Sequence, residues 1–309
     1  MNRIIALFLT VVVVFTTTSC RPSTPPKNIV VKPTVQGKDR DGNSVPLPKK
    51  IGRIISIAPS NTEILAALGF ADKIVAADTY SRGLEGVASD IPFFDLMALD
   101  TEQIILLEPD IIFVAGISKV GGIDPLKVVS DVGICVLYIP SSSGIADIKA
   151  DIKLIATVMG VVDKGEKIVA DMEKTIDATA TIGKTIRDKK KVYFEISAES
   201  YSLYSFGSGV YLNEMLEILG AENIFADGKQ WMVVAEEAIL DRNPDVILTS
   251  TDDIDKPVEV IMSRPGWNAL TAVQNGDVYS IDTDSSSRPS HRIVKALQEM
   301  AKTVYPDKY

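Results

Sequence analysis

The sequence predicts an α/β protein of two Rossmann-like lobes with parallel-type sheets, joined by a single long backbone helix, with the ligand cleft between the lobes. Three observations predict it. Short β-branched runs alternate with helical stretches, which implies parallel strands with helices on both faces. The same order of motifs occurs twice, over residues 53–112 and 191–247. Between the repeats, residues 163–187 place Ile168, Met172, Ile176 and Ala180 at every fourth position with charges elsewhere, interrupted only by Gly183, which is the stripe of one amphipathic helix.

The first repeat opens with a strand at 53–57, turns at 58–60 and enters a helix at 62–68 that Gly69 stops. Ser60 reads as the N-cap of that helix, with Glu63 completing a capping box. Further strands are expected at 74–77, 111–115 and 136–139, and a helix at 101–107. The second repeat opens with a strand at 191–196, passes through a loop at 205–209 and enters a helix that stops at Gly220. Residues 101–112 and 236–247 echo each other, because each carries a glutamate, Glu102 or Glu237, seven residues before a Pro-Asp pair that leads into a strand. A helical connection between lobes resists bending, so only a small change of inter-lobe angle is expected on binding.

Residues 2–3 give a short polar, positive start, and residues 4–15 are apolar except for Thr10, a run too short to span a bilayer. Residues 16–20 are small and end in Cys20, which resembles a bacterial lipobox with Thr17 where leucine is usual. The expected organisation is a lipoprotein signal peptide at 1–20, a proline-rich tether at 21–30, an N-terminal lobe at 31–160, the inter-lobe helix at 161–188 and a C-terminal lobe at 189–309. Cys20 is the expected lipid attachment, which would anchor the chain at the cell membrane on its extracytoplasmic or periplasmic side.

Hydrophobic residues make up 46% of the chain, enough for two ordinary cores. The net charge of −9, spread along the chain, argues against nucleic acid as a partner. Cys135, the only other cysteine, sits in an apolar run and reads as a buried strand residue. No nucleophile elbow, His-Glu-x-x-His, phosphate loop or Cys-x-x-Cys is present, so no enzyme and no cofactor are expected. A single histidine, His291, cannot build a cage for a bare metal ion, so a metal would arrive inside a chelate.

Five patches, at 55–65, 102–110, 216–225, 237–245 and 264–279, resemble in order the vitamin B12, haem and ferric-siderophore binding proteins of ABC importers. The resemblance implies a monomeric solute-binding lipoprotein that captures a small ligand, a metal chelate such as a ferric siderophore, another iron complex or cobalamin. It also implies delivery to an ABC permease dimer with its ATPase on the cytoplasmic side. Glu102 and Glu237 match the family's docking glutamates, one per lobe; the bland alternative is that they are only helix-start acids, and Glu236 can share the role. Pro59, Ser60, Asn61, Tyr80, Phe94 and Asp95 match pocket positions of the first lobe, with Phe93 beside them. Tyr201, Tyr204, Phe206, Trp231 and residues 284–288 are the second-lobe candidates, with Arg288 expected to grip a carboxylate or phosphate. Trp267 reads as structural, and His291 as a helix-start histidine with a routine hydrogen bond rather than an axial metal ligand. The alternative is a lipoprotein that presents ligand to a receptor or sensor without transport.

Overall fold

The computed structural model describes residues 34–40, 42–116, 124–199, 202–252 and 254–309; Cys20, the tether and Tyr201 lie outside the described residues. An antiparallel hairpin, β1 (Thr34–Lys38) and β2 (Ser44–Pro48), precedes the first lobe. That lobe runs β3 (Ile54–Ile57), α1 (Pro59–Ala67), β4 (Ile74–Asp78), β5 (Phe93–Phe94), α2 (Thr101–Leu106), β6 (Ile111–Ala115), α3 (Lys127–Asp131), β7 (Cys135–Ile139) and α4 (Ile145–Val158). Its five strands are all parallel in the order β5-β4-β3-β6-β7. Every residue of β3 is buried, as the central strand of a sheet covered on both faces must be.

After α5 (Val162–Gly183), the second lobe runs β8 (Lys191–Glu195), β9 (Ser197–Glu199), β10 (Ser202–Phe206), α6 (Tyr211–Ile218), β11 (Glu222–Asn223), β12 (Trp231–Val234), α7 (Glu236–Arg242) and β13 (Val246–Thr249). It finishes with α8 (Pro257–Met262), α9 (Thr271–Asn275), β14 (Val278–Ser280), α10 (Thr283–Ser287) and α11 (Ile293–Val304). The parallel sheet has the order β11-β8-β13-β14. A second, antiparallel sheet, β12-β10-β9, lies where the sequence reading placed a loop at 205–209: Ser205 and Phe206 are strand residues.

The two echoed segments share several features at matching positions. Ile104 and Ile239 are both fully buried under their helices, and Glu108 and Asn243 both take positive φ at the helix exits. The aspartate after each proline then ties the coming strand to the first strand of its lobe. Asp110 N donates to Arg53 O and Asp245 N to Lys191 O, both at 2.8 Å. The Asp110 carboxylate accepts from Gly52 N and Arg53 N, and the Asp245 carboxylate from Lys191 N.

The helix between the lobes ends at Gly183, four residues short of the expected 187. The cause is packing. A Cβ on Gly183 would sit 2.1 Å from Ile218 O and 3.0 Å from Gly220 N, so only glycine lets the end of α5 meet the end of α6. One continuous core then links α4, α5, α6 and α11 through Ile152, Met172, Leu216 and Leu297, all nearly inaccessible. Gly183→Ala is expected to cost about 2 kcal/mol. Urea unfolding should show a lower midpoint at unchanged slope; an unmoved midpoint would mean that the backbone steps aside.

Candidate functional site

The first-lobe helix α1 begins at Pro59 with Ala58 as its N-cap, and no side chain caps it. This corrects the capping box expected of Ser60 and Glu63. Proline at the first helical position needs no partner for a missing N–H, so the helix starts without one. Glu63 is instead 4% exposed and points at the other lobe. It accepts from Arg288 Nη1 at 3.1 Å, from Arg292 Nη1 at 2.7 Å and from the Ser290 hydroxyl. A second carboxylate crosses in the opposite direction: Glu214 of α6 accepts from Ile145 N at 3.0 Å, at the N-terminus of α4, where the helix dipole favours it.

Beside the Glu63 cluster lies a cleft of about 290 Å³. Pro59, Ser60 and Asn61 form one wall and Tyr211, Trp231 and Arg288 the other. Residues 140–142 and Asp151 close its floor. The Trp231 ring stands edge-on to Phe206 and Tyr211, with centroids 6.0 and 6.2 Å away, and is 50% exposed. It also walls a neighbouring pocket of about 360 Å³ with Tyr204, Ile196 and Ser197. Asn61 Nδ2 is buried without a hydrogen-bond partner in this wall.

The structure therefore brings Pro59, Ser60, Asn61, Trp231 and Arg288 together, with Tyr204 next door. It does not bring in the others. Phe94 is 4% exposed and packs against Ile55 and Ile112, so its ring is core. Phe206 is fully buried against Phe194. Tyr80 is 66% exposed and lines no part of the cleft; Asp78, accepting from Tyr80 N and Ser81 N, sets a tight turn that carries its ring outward. Asp95 is exposed and accepts from Met97 N in its own loop. Arg288 is not waiting for an anion: beyond Glu63, its Nη2 meets Asp284 at 2.6 Å and donates to Tyr80 O.

Two of the remaining candidates are fixed by packing. Trp267 is fully buried, stands edge-on to Tyr193 and donates from Nε1 to Glu236. Glu236 is thus committed to the second lobe, whereas Glu102 and Glu237 are exposed and make no side-chain hydrogen bond or ion pair among the described residues.

His291 lacks the routine hydrogen bond expected of it, because its Nδ1 is buried without a partner. Burial holds its pKa below the ordinary 6.5, with Glu63 opposing and Arg292 adding to the shift; Asp171 of α5 faces it across a small pocket. Below pH 6.5 the unfolded chain gains a proton that the folded ring refuses, so stability is complete above that pH and declines as pH falls through it. The unfolding midpoint should drop between about pH 7.5 and 5.5, and His291→Gln should flatten that slope. An identical slope in the variant would place the titration elsewhere.

Among the described residues, no helix is long and apolar enough to cross a membrane, and no three His, Cys, Asp or Glu side chains are grouped to hold a metal ion. Residues 54–285 match a family model described as periplasmic binding protein. The chain is 31% identical over 276 residues to the uncharacterized ABC transporter substrate-binding lipoprotein YvrC of Bacillus subtilis, spanning 88% of this chain and 85% of that one. It is 26% identical over 259 residues to a vitamin B12-binding protein of Vibrio parahaemolyticus, spanning 81% and 88%. A crystal structure of a possible iron-binding, periplasmic solute-binding protein from Staphylococcus epidermidis superposes with a TM-score of 0.73 at 31% identity, covering 83% of this chain and all of that one.

Proposed function

Because the chain belongs to the periplasmic binding protein family, whose members bind solutes and catalyse no reaction, we propose that it is the solute-binding lipoprotein of an ABC importer. Its ligand is a metal chelate: a ferric siderophore, another iron complex or cobalamin. The observation that carries this reading is the cleft itself. It joins a first-lobe helix start, with the unpartnered Asn61 amide, to a half-exposed second-lobe tryptophan, so one ligand touches both lobes. The lipobox-like run ending in Cys20, and the lipoprotein relative in Bacillus, support a lipid-anchored monomer on the extracytoplasmic side. Glu102 and Glu237 dock it on the permease dimer, one from each lobe.

Fluorescence tests the capture step directly, because the chain has two tryptophans and Trp267 is sealed in the core. Titrating the protein with cobalamin, haem, ferric siderophores and molybdate should give saturable quenching of Trp231 by one of the chelates, at submicromolar concentration. Trp231→Phe should abolish the signal while the protein stays folded. Quenching by none of them would sink the metal-chelate reading.

A further inference from the structure

The charges around the cleft bear on which chelate it accepts, an inference that rests on the capture reading above. Among the described residues two charged side chains line the cleft, Arg288 and Asp151, and neither faces a ligand unopposed. Arg288 belongs to a quartet. It meets Glu63 and Asp284, while Arg292 meets the same Glu63 at 2.7 Å and Asp284 at 4.0 Å. Two guanidinium groups and two carboxylates sum to zero. On the floor, Arg40 meets Asp151 at 2.9 Å and also Asp147 at 3.0 Å, and it donates to the carbonyls of Pro140 and Ser141. The Arg40 cation is thus answered by carboxylates.

An anionic ligand would therefore leave water for a cleft whose cations, among the described residues, are already matched, which is strongly unfavourable. The donors of the first-lobe wall suit a neutral oxygen. Asn61 lines the cleft at 2% exposure, and its Nδ2 is a buried amide donor that no protein group satisfies. The start of α1 adds a partial positive charge of about half a unit, enough to orient a carbonyl and far short of balancing several full charges. We propose that the ligand is a metal chelate with no net negative charge, held by amide or hydroxamate carbonyl oxygens at Asn61 and by an apolar face against Trp231. This ranks neutral hydroxamate complexes and corrinoids above catecholate complexes, haem with its propionates, and oxyanions.

The test uses the full chain in detergent micelles and four probes. Ferrichrome and cyanocobalamin are uncharged; ferric enterobactin is a trianion and haemin carries two propionates. One uncharged probe should bind at least about tenfold tighter than either anionic one, with an affinity that does not change between about 50 and 500 mM salt. Asn61→Ala should weaken that probe by about tenfold, and an unchanged affinity would overturn the carbonyl contact. Glu63→Gln leaves the quartet with an excess cation and should strengthen haemin or ferric enterobactin by about tenfold; no gain would overturn the quartet as the source of selectivity. Tighter binding of either anion by the unaltered protein overturns the inference and leaves the capture reading standing. Binding of none of the four removes both.

Discussion

Reversing both outward carboxylates, Glu102→Arg together with Glu237→Arg, is expected to lower ligand uptake by at least about a hundredfold while leaving ligand affinity within about twofold. Each side chain is exposed on the outer side of its helix, opposite the buried Ile104 or Ile239, and neither lines the cleft. A buried, hydrogen-bonded charge pair across an interface is worth about 2–5 kcal/mol when one partner is truncated, and reversal adds repulsion. Two such losses exceed what a transient docking complex can absorb. Glu236→Arg is the informative control. It removes the acceptor of the Trp267 indole N–H, so it should lower stability and affect uptake only through folding. Uptake of labelled ligand by cells carrying each variant separates the cases, and normal uptake by the double variant would end the docking reading.

The parts of the fold that were legible in the sequence are those fixed by local chemistry. The Pro-Asp pairs announce strand entries because each aspartate accepts from the backbone of a strand already laid down. The four-residue stripe of α5 is visible because one face packs on α4, α6 and α11. Side-chain direction was less accessible. Phe94 and Phe206 are aromatic residues beside a cleft, but each sits on a strand face turned into the core, and a single step of register separates the two outcomes. The β12-β10-β9 sheet was hidden by the shortness of its strands and by glycines at 207 and 209 that read as loop. Glu63 left a signal that the capping box obscured: it is the only charge in α1, a helix buried on nearly every side of its first half. Its partners lie more than two hundred residues away, and one sequence does not pair them.

Those partners set the second large effect. Removing the carboxylate in Glu63→Ala leaves Arg288 and Arg292, both of the second lobe, with Asp284 as the remaining counter-charge. Breaking one partner out of a buried pair costs about 3–5 kcal/mol, because the charge left behind stays desolvated. Asp284 is partly exposed and Arg292 reaches solvent, so the lower end applies, about 3 kcal/mol. For a chain of this size the thermal midpoint should fall by roughly 6–12 °C. Because the lobes share one apolar core through α5, the loss should appear as a single shifted transition, without a separate early melting of one lobe. Glu63→Gln keeps an acceptor for Ser290 and should lose about half as much. A midpoint within a degree of the parent in Glu63→Ala would show that water can replace the carboxylate. The quartet would then be a surface network that neither holds the lobes together nor neutralises the wall of the cleft.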